Sequence, residues 1–293
     1  MKQTILLTGA SGGFGRLATT ALLARGHRVV ATVRDPAGRN ATQAKALEAE
    51  GATVVEMDVS DDDSVERGVR QAVHALGGRL DVVVNNAGVG VHGLQEAFTS
   101  ADWQRLFDIN VFGVARVNRA ALPTMHAQRS GLLIHVSSLL GRVVMPFYGP
   151  YNASKWALEA LAENYRVELA PVGIDSVIVE PGGFNTAFSS HLMPPSDAGR
   201  EAAYGEFARQ PELALKGFIA MVDATPAQDP RCVAEAIADL VDRPAGQRPF
   251  RTPVDFLGMA NAIAPYNQQL ESLHRGLYDG MGIGALLDRN PRA

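Results

Sequence analysis

The apolar run Thr4–Thr8 (TILLT) ends directly in a glycine-rich loop, Gly9–Gly15 (GASGGFG). Behind that loop, Phe14–Arg25 has helical periodicity, with Leu17, Ala21 and Ala24 on one side and Gly26 as its stop. A β-branched run, Arg28–Arg34 (RVVATVR), follows. Strand, glycine turn, helix and strand in this order form a βαβ unit, and the chain goes on repeating it.

Gln43–Glu50 reads as helix, Thr53–Met57 as strand, and Asp61–Ala75 as helix with aspartates at its positive end. Leu80–Val84 is a fourth strand running into Asn85-Asn86-Ala87-Gly88. Ala101–Met125 is a long helical region interrupted by Gly113. Leu132–Val136 is a fifth strand ending at Ser137-Ser138. Asn152–Ala170 is a helix, and Asp175–Glu180 a sixth strand closed by Pro181-Gly182. Near-continuous apolar strands alternating with helices imply a doubly wound α/β fold, with a mostly parallel sheet covered on both faces. In such sheets ligands sit beyond the carboxyl ends of the strands. Every unusual loop named above follows a strand, so all fall on that one edge.

After Gly183 the texture changes. Residues 184–228 carry prolines at 194, 195, 211 and 226, with a helix expected between Gly199 and Met221. A long insertion at the ligand edge reads as a substrate lid. Asp229-Pro230 signals the start of another helix, Phe250–Thr252 a short seventh strand, and residues 254–287 a mostly helical stretch. The expected organisation is one domain over 1–293, with a lid at 184–228 and a C-terminal extension at 229–293.

Composition removes several function classes. Hydrophobic residues make up 46% and charged ones 20%, enough for a sizeable core. A net charge of -4 argues against a nucleic-acid or anionic-membrane surface. Cys232 is the single cysteine, so no internal disulfide can form. No apolar run approaches the roughly 18 residues of a membrane span, and no signal peptide is apparent. The expectation is a cytoplasmic protein that binds neither nucleic acid nor membrane. No His/Cys/Asp spacing suggests a metal site.

Gly9, Gly13 and Gly15 sit where a backbone must turn with positive φ or approach a pyrophosphate closely, with Ser11 and Phe14 between them. The following helix offers free N–H groups and a positive dipole end to phosphate. The spacing is not G-x-G-x-x-G, and an ordinary βα turn is the bland alternative. At the end of the second strand Arg34 precedes Asp35. An arginine there suits a 2′-phosphate and a carboxylate a ribose 2′-hydroxyl. Arg34 favours NADP over NAD, although Asp35 is equally able to start a turn with Pro36. Asp58, with Val59 beside it, follows the third strand and could meet an adenine amine or simply cap a helix.

Tyr151 and Lys155 lie at i and i+4 on one helix face. A phenol titrates at about 10. One positive charge at about 4 Å is worth up to roughly 4 kcal/mol at an effective dielectric near 20, which can bring the phenol towards neutrality. It would then exchange a proton with a carbonyl or alcohol oxygen. Ser138, at a strand's carboxyl end, could hold the same oxygen. Singly, each residue is commonplace; on one edge with a nucleotide loop they form a candidate active site.

As an ordered set these residues resemble the short-chain dehydrogenase/reductase family, in its compact Rossmann-fold form. Thr8–Gly15 matches its TGxxxGxG loop, Asn85–Gly88 its NNAG, Tyr151 and Lys155 its YxxxK, and Asn110 and Ser138 its asparagine and serine. Pro181, Gly182 and Thr186 match its post-strand motif, so the resemblance spans about residues 3–190. It implies that Asn110 positions a water in a proton relay with Lys155. It also implies that Asn86, Ala87 and Gly88 line the cofactor, that Thr186 contacts the nicotinamide carboxamide, and that the chain forms a homodimer through the helices bearing Asn110 and Tyr151. The ATVRDP segment is similar to that of NADP-preferring hydroxysteroid dehydrogenases.

The pocket is expected to be walled by Leu139–Tyr148, Phe184–Leu192 and the lid, with apolar Met145, Phe147, Phe188 and Met193, which favours a hydrophobic ketone or secondary alcohol. His92 and His135 carry no signal above background. Two rival readings remain open: a non-catalytic NADP(H)-binding regulator or scaffold, and a sugar-nucleotide epimerase or dehydratase, which would require a longer C-terminal domain.

Overall fold

The computed structural model describes residues 2–186, 188 and 191–288. Seven strands form one sheet: β1 (Thr4–Leu7), β2 (Arg28–Val33), β3 (Thr53–Glu56), β4 (Val82–Asn85), β5 (Gly131–Val136), β6 (Ile174–Pro181) and β7 (Arg251–Val254). The order across the sheet is β3-β2-β1-β4-β5-β6-β7, and every pairing is parallel. The chain turns back between β1 and β4, so a crevice opens beyond their carboxyl ends. Strand side chains alternate between the faces. Ile5, Leu7, Val82 and Val84 point to one side with Leu22, Leu47 and Ile237, while Leu6 and Val83 point to the other with Val69, Val117 and Met125. Truncating a fully buried leucine such as Leu6 would cost about 2–5 kcal/mol.

Among the described residues the α-helices are α1 (Gly13–Ala24), α2 (Ala41–Ala49), α3 (Asp62–Ala75), α4 (Ser100–Phe107), α5 (Gly113–Gln128), α6 (Gly149–Leu169), α7 (Gln210–Asp223), α8 (Arg231–Asp242) and α9 (Met259–Gly280). Helix α3 begins where the aspartates imply: Asp61 caps it by accepting from Ser64 N at 2.6 Å. No described helix is long and apolar enough to cross a membrane.

Two expectations need correction. Gly113 does not interrupt the long helix. The irregularity precedes it, as a wide π turn over Asp108–Phe112 joining α4 to α5. Arg116 stitches that turn, donating to Asp108 Oδ1 at 2.7 Å and Asp108 O at 3.2 Å. Gly113 is needed for packing, because a Cβ there would lie 2.9 Å from Val59 Cγ2. The region expected as one helix between Gly199 and Met221 is two pieces. A 3-10 run, Ala198–Arg209, is kinked at Gly205 (φ 54), and α7 restarts with Pro211 in its first turn.

The C-terminal extension braces the ligand edge from behind. Asp255 Oδ2 accepts from Met259 N at 2.8 Å, tying down the start of α9. Further along α9, Asn267 bridges Arg142 (2.8 Å) in the loop after β5 and Glu180 (3.1 Å) in β6. Arg251 of β7 pairs with Glu180 at 2.9 Å and with Glu159 of α6. Burial pushes the Glu180 carboxyl up and the Arg251 guanidinium down, against the mutual attraction of the pair.

Candidate active site

At the end of β1 the glycine loop is locked to the end of β4. Thr8 Oγ1 accepts from Asn86 N and Ala87 N, both at 3.0 Å, and Asn86 Nδ2 donates to Thr8 O (2.9 Å) and Gly9 O (3.1 Å). Gly9 has φ 71, and a Cβ there would lie 2.8 Å from Ala87 Cα, so only glycine fits. Gly12 leaves the start of α1 without a side-chain cap or an acidic residue. Its first-turn N–H groups are thus open to an anion beside Ser11, Gly13 and Phe14, all of which line the crevice. Gly15 lies behind the loop, packed against Gly9 O and Asn86 Nδ2, and does not face the crevice.

At the end of β2, Arg34 faces the crevice and Asp35 does not. Asp35 takes φ 50 and folds its carboxylate back into the following turn, accepting from Arg39 N at 3.0 Å. Arg39, Asn40 and Gln43 complete this wall. Arg34 Nη1 lies 3.7 Å from Asp58 Oδ2. Burial pushes the Asp58 carboxyl up, but hydrogen bonds from Ser60 and the Arg34 charge outweigh it, leaving the group below the usual carboxylate range.

Helix α6 presents Tyr151, Lys155, Leu158, Glu159 and Ala162 as one buried stripe. Polar groups occupy positions that an ordinary sheet-covering helix fills with apolar ones. Tyr151 and Lys155 are only 7% and 6% exposed. The Ser138 hydroxyl is near enough to the Tyr151 phenol to favour its ionised form, and it donates to Pro181 O at 3.4 Å. It is held by Leu140 N, which donates to Ser138 Oγ at 3.1 Å. Lys155 Nζ donates to Val136 O at 2.9 Å and lies 5.6 Å from the Tyr151 ring centroid. Asn110, in the π turn, accepts from Val89 N and donates to Val89 O, both at 2.9 Å, and donates to Ser154 Oγ at 3.1 Å. Asn110 does not line the crevice; it sits behind Gly88 and Val89, which do.

The electrostatics differ from the sequence expectation. Burial drives the Tyr151 phenol upwards, Tyr148 adds to this, and the nearby Ser138 hydroxyl offsets only part of it. Burial also draws the Lys155 ammonium down to about 8. Near neutral pH Tyr151 therefore keeps its proton and Lys155 its charge. The phenol is set up as an acid towards a carbonyl oxygen.

The crevice continues past Tyr151 as one cavity of about 830 Å³. Phe188 covers Tyr151, with ring centroids 5.7 Å apart. From α7, Leu215 and Phe218 close the far side, Phe218 resting on Gly183. Met145 and Phe147 also face it. Met193 does not: it packs into the cluster around Tyr151, and its segment bridges to Val91. Residues 187, 189 and 190 of the expected Phe184–Leu192 wall lie outside the described residues.

Residues 3–196 match the family model for short chain dehydrogenases. The chain belongs to the short-chain dehydrogenase family. It is an oxidoreductase of that family, 34% identical over 253 residues to the 3-ketodihydrosphingosine reductase of Bacteroides thetaiotaomicron, with 86% of this chain and 87% of that protein covered. Over 197 residues it is 38% identical to human retinol dehydrogenase 8, covering 65% of this chain and 62% of that protein. The crystal structure of a short-chain dehydrogenase from Streptomyces avermitilis superposes with a TM-score of 0.75 at 30% identity, covering 97% of this chain and 99% of that one.

In this short-chain dehydrogenase Val59, Asn86, Ala87, Gly88, Pro181, Gly182 and Thr186 all line the crevice. Thr186 Oγ1 accepts from Phe188 N at 3.3 Å. Sequence reasoning missed Arg39, whose spacing from Arg34 gives no sign that a turn returns it to the same wall. It also passed over His92, which lines the cavity. His135 is strand interior, fully buried, with its Nε2 3.2 Å from Ser176 Oγ.

Proposed function

We propose that this short-chain dehydrogenase is an NADPH-dependent reductase that converts a hydrophobic ketone into a secondary alcohol, with Tyr151 as the acid. The observation that carries the reading is the buried Ser138–Tyr151–Lys155 group, with its phenol held protonated, in one cavity with the glycine loop.

The residues fit the cofactor. Ser11, Gly13 and Phe14 at the uncapped start of α1 would take the pyrophosphate, and Gly9 leaves room beside it. Arg34 and Arg39 would take a 2′-phosphate, while Asp35, the carboxylate next to Arg34 at the end of β2, is turned into its own loop. When bound, the nicotinamide supplies the hydride. Ser138 and Tyr151 hold the substrate oxygen, and Tyr151 gives up its proton to that oxygen as the carbonyl carbon is reduced. Lys155, charged below about pH 8, stabilises the phenolate left behind. Asn110 fixes the Gly88–Val89 backbone beside Lys155.

Phe188, Leu215 and Phe218 favour an apolar substrate, and similarity to a 3-ketodihydrosphingosine reductase and a retinol dehydrogenase supports this reading. Residues 184–228 act as the substrate lid. The protein works in the cytoplasm as a homodimer, burying exposed Phe112 and Trp156 on the helices that follow Asn110 and carry Tyr151. The test is NADPH oxidation with a panel of long-chain, cyclic and aromatic ketones. Consumption with the apolar ketones, and at least about tenfold less with NADH, is expected. No consumption with any of them would overturn the reading.

A further inference from the structure

Two polar rings stand among the apolar side chains of the cavity wall. His92 and Tyr148 meet there edge to face, with ring centroids 4.6 Å apart. Both line the cavity. Neither side chain makes a hydrogen bond among the described residues, although both are partly buried. A half-buried imidazole and phenol with no hydrogen-bond partner among the described residues are costly features to leave in a cavity wall.

The pair is also rigidly placed. Val91 bridges to Met193, His92 N donates to Met193 O at 3.1 Å, and Gly93 N donates to Phe147 O at 2.8 Å. The backbone is therefore clamped on both sides of His92. Tyr148 stands one helical turn before Tyr151, packs in the same cluster, and is near enough to influence its phenol. Burial lowers the His92 imidazole, so at neutral pH it is uncharged. A neutral imidazole offers one donor and one acceptor, and the phenol adds another of each.

We propose that His92 and Tyr148 form a substrate subsite for a hydroxyl group carried next to the reacting carbonyl, making apolar hydroxyketones the preferred substrates. The proposal rests on the reductase reading and names the substrate class within it. A hydroxyl suits the pair because it donates and accepts at once. A plain ketone leaves both side chains without a partner, so the site discriminates against it.

The test compares a long-chain methyl ketone with the same ketone carrying a hydroxyl on the carbon beside the carbonyl. The wild-type protein is expected to favour the hydroxyketone by about tenfold or more in kcat/KM. His92→Leu and Tyr148→Phe should each erase about tenfold of that preference, and His92→Gln, which keeps a donor and an acceptor, should retain most of it. Equal kcat/KM for the two ketones in the wild type would overturn the subsite while leaving the reductase reading intact. So would parallel losses on both ketones in the variants, the signature of a packing role. Reduction of neither ketone by the wild type would overturn both.

Discussion

Asn110 and the backbone of Val89 exchange two hydrogen bonds, each 2.9 Å long. They join the π turn between α4 and α5 to the loop that leaves β4. Gly88 lies between this pair and Lys155: a Cβ there would stand 3.3 Å from Asn110 Oδ1 and 3.9 Å from Lys155 Nζ. The asparagine amide donates both its hydrogens, to Val89 O and Ser154 Oγ, so its carbonyl oxygen alone keeps an acceptor position. Any water shared with Lys155 would have to be met there or by backbone.

Replacing Asn110 by alanine should therefore act on position as well as on proton transfer. Two partly buried Val89 groups lose their partners, at about 1 kcal/mol each. Asn110→Ala is expected to lower kcat by about a hundredfold and to lower the melting temperature by several degrees. Steady-state kinetics and thermal unfolding on the same preparation check both. Full turnover in a destabilised variant would leave the asparagine a structural residue only.

Cofactor choice follows from the β2 edge. Arg34→Ala is expected to raise the KM for NADPH by about ten- to a hundredfold and that for NADH by less than about threefold, because only the former carries the 2′-phosphate. Arg39→Ala should act in the same direction more weakly. Titration of each variant with both cofactors decides the matter, and an equal loss for the two would remove Arg34 from the role proposed for it.

Lys155 gives opposite signs for stability and activity. Its folded-state value, about 8, lies below the ordinary 10.5. The buried charge costs stability in full below pH 8. Between about 8 and 10.5 the unfolded chain binds the proton and the folded one does not, so stability rises with pH across that window. Lys155→Met should raise stability at pH 7 by about 1–2 kcal/mol while abolishing turnover, with the gap to wild type narrowing above pH 8. Ketone reduction by the wild type should fall as pH rises through about 8. Denaturant unfolding at pH 7 and 9.5 and a pH–rate profile measure the two effects.

Local rules made the strands and the first helices readable. Ile5-Leu6-Leu7 and Val82-Val83-Val84 are apolar at every position because the sheet is covered on both faces. The glycine loop, Ser138, Tyr151 and Lys155 were legible because parallel topology puts every strand's carboxyl end at one edge. Gly113 was misread because a glycine required by Val59 across a helix contact looks the same as one that breaks a helix. Phe218 resting on Gly183, the turn that returns Arg39 to Arg34's wall, and Asn267 linking Arg142 to Glu180 all depend on contacts distant in sequence. No periodicity encodes them. The Tyr151 phenol was expected to be drawn down by Lys155, but burial, which one-dimensional spacing cannot register, has the larger effect.

The measurement that bears most directly on the account is turnover and NADPH binding by Tyr151→Phe. The phenyl ring keeps the packing against Phe188 and loses only the hydroxyl that stands beside Ser138. Ketone reduction is predicted to fall by about a thousandfold or more, while NADPH binding, followed by fluorescence titration, stays within about threefold of wild type. Reduction at a near wild-type rate with NADPH binding intact would contradict Tyr151 as the acid.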